Sequence, residues 1–94
     1  MIVLQIEHKI HSFDSWKEVF DSDPIHREKS GVRSYSIYRP ADNSNYVIID
    51  LEFDTLKEAE NVLVALQKLW TQVEGKIMVN PQTRILEIIE RKEY

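Results

Sequence analysis

The 94-residue chain has no cysteine and carries 12 basic against 16 acidic residues, a net charge of −4. It can therefore form no disulfide, thiolate zinc site or iron–sulfur cluster, and its acidic balance argues against a phosphate-backbone partner. Its length predicts one domain over 1–94, short enough that a second copy is the readiest source of further buried area.

Residues 2–10 alternate. Ile2, Leu4, Ile6 and Ile10 share one side with His8, and Gln5, Glu7 and Lys9 take the other, which predicts a strand with one apolar face. The opening MIVLQIEHKI has no cationic start and no long apolar run, so neither a signal peptide nor a membrane span is expected and the default compartment is the cytoplasm. Ser12 is an N-cap for a helix from Phe13, whose Phe13, Trp16, Val19 and Phe20 recur at three- and four-residue steps. Asp23-Pro24 predicts the start of a second, short helix that Ser30-Gly31 ends. Val32–Arg39 reads as the second strand, 40–45 as a turn, and Tyr46–Phe53 as the third strand of an antiparallel hairpin. Thr55 to Glu58 is a capping box, followed by a helix with Leu56, Ala59, Val62, Leu63, Leu66, Leu69 and Trp70 at helical spacing. Residues 73–81 read as a loop, with a brief strand near Lys76–Val79 as an option, and Thr83–Arg91 as the last strand.

The order β-α-β-β-α-β predicts an α+β, ferredoxin-like antiparallel sheet with both helices on one face. The other face mixes Val3 and Ile48 with Gln5, Glu7, Asp50 and Glu52, a pattern that usually meets a partner, here a second copy.

Phe13 and Trp16 in the first helix, Phe20, Pro24, His26-Arg27, then Ser30-Gly31-Val32 leading to Tyr35, carry a resemblance. So do Asp50-Leu51-Glu52-Phe53-Asp54, Ala59 and Trp70. Over nearly its whole length the chain resembles the dimeric α+β barrel group, in particular the antibiotic biosynthesis monooxygenase-like domains. The resemblance implies a dimeric α+β barrel with a cavity between sheet and helices. That group includes cofactor-free monooxygenases of polyketide quinols, haem-degrading enzymes and decarboxylases, so the fold alone selects no activity. Haem-degrading members bear an asparagine on the first strand and a histidine with the second helix. Here the first strand has Gln5, Glu7 and His8, and the histidines are His8, His11 and His26, so haem degradation is rejected and no cofactor is expected.

His8 is the candidate catalytic residue: an imidazole on an apolar register can act as a base near neutrality, against the plainer role of a core histidine. Trp16 and Trp70, with Phe13 and Phe20, are the candidate aromatic wall, although aromatics at helical spacing more often serve as core. His26, Arg27 and Tyr35 complete the candidate ligand contacts, Arg27 for an anionic group. The His26-Arg27-Glu28-Lys29 run also reads as a solvated face. Arg33 or Arg39 is expected to pair with Asp50 or Glu52, across the hairpin or across a dimer. Glu7, His8 and His11 make a poor metal set, since alternation sets His8 and His11 apart, and no metal is expected.

No serine–histidine–aspartate pattern, phosphate loop or nucleotide fingerprint is present. Two readings follow. One is a small homodimer, joined through the open sheet face, that binds a small apolar or aromatic molecule between sheet and helices. The other is a cofactor-independent monooxygenase of a quinol or polyketide-like aromatic, with His8 as base.

Overall fold

A computed structural model describes residues 1–73 and 78–94. The element order is β1 (Ile2–Ile10), α1 (Phe13–Asp21), β2 (Ser34–Tyr38), β3 (Tyr46–Phe53), α2 (Leu56–Val73) and β4 (Met78–Glu87). The four strands form an antiparallel sheet in the order β2-β3-β1-β4. This is the expected ferredoxin-like topology.

The expected barrel is not formed. The sheet is open: β2 and β4 stand at its two edges and, among the described residues, no pairing joins them, so the backbone ladder does not close on itself.

Both helices start as their sequences dictate. Ser12 adopts an extended conformation, and its Oγ accepts from the Ser15 N–H at 3.4 Å. At α2, the Glu58 N–H donates to Thr55 Oγ1 and the Thr55 N–H to Glu58 Oε1, both at 3.2 Å, a reciprocal capping box. The core lies between the helices and one sheet face. Leu4, Ile6 and Ile10 of β1 meet Val47, Ile49, Leu51 and Phe53 of β3, under Trp16 of α1 and Ala59, Val62 and Leu66 of α2.

The expected short helix after Pro24 is absent; residues 24–31 form successive turns. Asp23 and His26 both have φ of 53°, so the right-handed ladder cannot run through either. The residue before a proline is biased out of the α region, which fits Asp23. Its Oδ1 accepts from the Arg27 N–H at 2.9 Å and stabilises the turn. Gly31, at φ 103°, ends the segment as expected of a glycine.

β2 starts at Ser34, not Val32. Val32 is buried in the core, and its N–H donates to the Arg27 carbonyl at 3.0 Å rather than to a strand.

β4 begins and ends earlier than the pattern suggests. It takes in Pro81, which an edge strand tolerates because its outer N–H row needs no partner. Of the optional Lys76–Val79 strand, Met78 and Val79 belong to β4, while Lys76 and Ile77 lie outside the described residues. Among the described residues no helix is long and apolar enough to cross a membrane.

Candidate functional site

A cavity of about 90 Å³ opens between the sheet and the helices. Its floor is Ile6 and His8 of β1 with Ile49 and Leu51 of β3. Trp16, Val19 and Phe20 of α1 make one wall, and Leu66, Leu69 and Trp70 of α2 the other. Pro24, Ile25 and Arg27 of the turn segment close the rim.

His8 reaches the floor because β1 alternates: even-numbered residues face the helices, so the imidazole lies in register with Leu4, Ile6 and Ile10. It is 3% exposed, the one buried polar or charged residue among those described. The neighbouring strand is irregular at this point. Glu7 pairs with Gln82 and Lys9 with Val79, so β4 has two residues, Asn80 and Pro81, opposite His8. Asn80 takes φ of 50° to make the bulge.

Nδ1 of His8 lies 3.1 Å from the Lys9 carbonyl oxygen. Only a protonated Nδ1 satisfies that oxygen, so the neutral ring keeps its lone pair on Nε2. Burial pulls the imidazole pKa below its usual 6.5, against a smaller upward pull from the Lys9 carbonyl. The ring is therefore neutral at pH 7 and equipped to accept a proton.

The aromatic wall is a continuous row. The Trp16 ring lies 6.1 Å from His8, 5.8 Å from Phe13 and 5.2 Å from Phe20, centroid to centroid, the last pair stacked. Phe20 in turn meets Tyr35 edge-on at 5.0 Å. The Arg27 guanidinium sits 3.9 Å over the Phe20 ring and 5.1 Å from that of Tyr35. Its Nη1 donates to the Phe20 carbonyl at 2.8 Å, and its Nε lies 3.6 Å from Asp23 Oδ1.

The sequence candidates thus divide. His8, Trp16, Arg27 and Trp70 line one cavity. Tyr35 stands outside it, 45% exposed, on the wall of an adjoining polar groove that Arg27 also lines. His26 is exposed and lines neither; its backbone carries the turn, with its N–H on the Asp23 carbonyl and its own carbonyl accepting from Ser30. The expected cross-strand pairs also differ. Arg33 pairs with Asp54 at 2.6 Å, because it precedes β2 and reaches past the end of β3. Arg39 lies 4.9 Å over the Phe13 ring. Pro24, Ile25 and Leu69 are cavity residues that pattern reading missed as such. Only the apolar Ile25 inside an otherwise polar run could have drawn notice.

No family model matches the chain, and no curated protein matches it in sequence. Solved structures do. SnoaB, a cofactor-independent oxygenase from Streptomyces nogalater, superposes with a TM-score of 0.72 at 10% identity, over 98% of this chain and 94% of that one. A dimeric ferredoxin-like protein from an uncultured marine organism gives a TM-score of 0.66 at 10% identity, over 97% of each. Protein SO0527 from Shewanella oneidensis gives 0.71 at 16% identity, over 90% of this chain and 87% of that one. The chain thus shares the ferredoxin-like fold of these structures.

Proposed function

We propose that the protein is a cofactor-independent monooxygenase that oxidises a quinol or polyketide-like hydroxyaromatic, with His8 as its base. The observation that carries this reading is the neutral imidazole on an apolar cavity floor, its Nδ1–H engaged by the Lys9 carbonyl and its Nε2 left basic. The shared fold with an oxygenase that works without a cofactor supports it.

The chemistry asks little of the protein. Nε2 of His8 takes the phenolic proton, and the phenolate pushes electron density to an ortho or para carbon that bears hydrogen. That carbon reduces dioxygen and bonds to it, and the imidazolium returns its proton to the peroxide. The O–O bond then breaks as the proton on that carbon leaves. The balance is one phenol and one dioxygen to one quinone and one water. An apolar surround favours the step by keeping water from the phenolate.

Oxygen uptake with a panel of hydroquinones tests this. Wild type should consume oxygen, and His8→Ala should lose roughly a hundredfold or more of the rate, the size of a lost general base. Because burial lowers the His8 pKa, kcat/KM should rise with pH through a midpoint below 6.5 and then level off. No uptake, or an equally active variant, removes the reading.

One observation favours plain binding without chemistry: among the described residues that line the cavity, His8 is the one group that can accept a proton, and no second acid or base stands with it. That reading gives saturable binding of a small aromatic with no oxygen consumed.

The molecule is also proposed to work as a homodimer joined through its helix-free sheet face. Tyr38, Ile48 and Leu86 stand there among paired charges, Tyr38 and Leu86 exposed. Sedimentation at micromolar concentration should give twice 11.1 kDa, and a monomer mass would remove the proposal.

A further inference from the structure

We infer that the ligand is a small hydroxyaromatic carboxylate, its ring in the cavity and its carboxylate on Arg27; this rests on reading the cavity as the reaction site. Two compartments adjoin. The apolar cavity holds about 90 Å³, and beside it runs a polar groove of about 440 Å³. Arg27 lines both.

The cavity is smaller than one that takes up benzene whole, so it admits no fused ring system, and a single ring enters it only in part, with its substituent at the rim, where Arg27 stands. Arg27 carries the one formal charge among the described residues that line the cavity, since His8 is neutral.

The guanidinium is held in place before any ligand arrives. Phe20 and Tyr35 flank it, Nη1 is tied to the Phe20 carbonyl, and Nε faces Asp23. Its side chain is only 15% exposed. Nη2 makes no hydrogen bond to a described residue. A pre-ordered fork with donors to spare suits a carboxylate, which accepts charge-assisted bonds along the guanidinium plane.

The other charges lining the groove are Asp23, Glu28 and Arg33. Asp23 is engaged by the Arg27 backbone and Nε, and Arg33 by Asp54. Glu28 also lines the groove but is exposed, so water and salt screen its repulsion of an anion. A neutral ligand offers the guanidinium no charge-assisted, two-oxygen acceptor, which is the basis of selectivity.

Trp16 and Trp70 both line the cavity, so intrinsic fluorescence reports occupancy. Wild type should bind 4-hydroxybenzoate about tenfold more tightly than 4-hydroxybenzamide, the isosteric neutral probe, and the gap should narrow as salt is raised. Arg27→Gln should bring the ratio near one, and Arg27→Lys should restore part of it. Because the central comparison uses wild type, it does not depend on any variant folding. Equal binding of the two probes, or binding of neither, overturns the proposal. Oxygen uptake with uncharged hydroquinones alone overturns it while leaving the oxygenase reading intact. Carboxylate-selective binding with no oxygen uptake by any phenol does the reverse.

Discussion

The two faces of the sheet come from the same strands and behave as different materials. On the helix-covered face, β1 and β3 contribute Leu4, Ile6, Val47, Ile49, Leu51 and Phe53, and His8 is the lone buried polar group among the described residues. On the helix-free face, one residue along each strand, Gln5 donates to Asp50 at 2.9 Å and Tyr46 to Glu7 at 2.8 Å. Arg84 reaches Glu7 at 3.1 Å, and Glu52 accepts from Ser34 at 2.6 Å and Arg91 at 3.0 Å. The period of two lets one sheet carry a dry face, where stability and the candidate chemistry reside, and a wet face whose carboxylates are already engaged. Substitutions should therefore have graded effects according to the face they touch.

The largest effect is expected in the dry core. Phe53 is fully buried, and Phe53→Ala leaves a void that its neighbours can close only partly. Urea unfolding should show a loss of about 3–5 kcal/mol. A loss below about 1 kcal/mol would mean that the helix-covered face does not carry the fold.

Gly31 joins the turn segment to this dry layer. A Cβ there would meet the Glu58 carboxylate, and φ of 103° is in any case strained for another residue. Gly31→Ala should destabilise by about 1–3 kcal/mol. Pairing it with Glu58→Ala should recover the steric part and leave the backbone part, which a double-mutant cycle measures. Strict additivity would show that Glu58 does not press on this position.

His8 ties the dry face to pH. Its folded pKa lies below its usual 6.5, so as pH falls below 6.5 the unfolded chain takes up the proton first. Stability from this residue is fully present above pH 6.5 and is lost on acidification, with a slope of at most about 1.4 kcal/mol per pH unit. Denaturation midpoints followed downward from pH 7.5 should fall more steeply for wild type than for His8→Gln. Parallel curves would mean that the imidazole is not desolvated.

How much of this could be read beforehand follows the range of the signal. Alternation along β1 and β3, the Ser12 cap and the Thr55–Glu58 box are local patterns, and the structure reproduces each of them. Side-chain spacing also put His8 on the apolar side of its strand. The short helix at Pro24 failed because Asp23-Pro24 is an N-terminal signal with no helical run behind it, and His26 turns left-handed three residues on. The open sheet edges and the bulge opposite His8 depend on residues far apart in sequence, which no local window contains, while the clamp on Arg27 by Phe20, Asp23 and Tyr35 is local but built on irregular turns that have no period to read. The barrel expectation came from resemblance, and a resemblance does not determine how one chain's sheet closes.

The smallest effect is expected on the wet face, and it tests the other half of the contrast. The Ser34 hydroxyl, and then Arg91, hold the Glu52 carboxyl below its usual range. Arg91 is 64% exposed, so water and salt screen its pair with Glu52. Arg91→Ala should change stability by less than about 1 kcal/mol, and the change should fade in high salt. Because the folded Glu52 pKa is lowered, this contribution is present above the unfolded carboxylate range and vanishes as pH falls through the folded value. It thus disappears at a more acidic pH than the His8 contribution begins to fail. Acid titration of wild type, His8→Gln and Arg91→Ala should therefore resolve two separate losses, the dry face first and the wet face after it. A single loss at one pH, removed by either substitution, would mean that the two faces are electrostatically one.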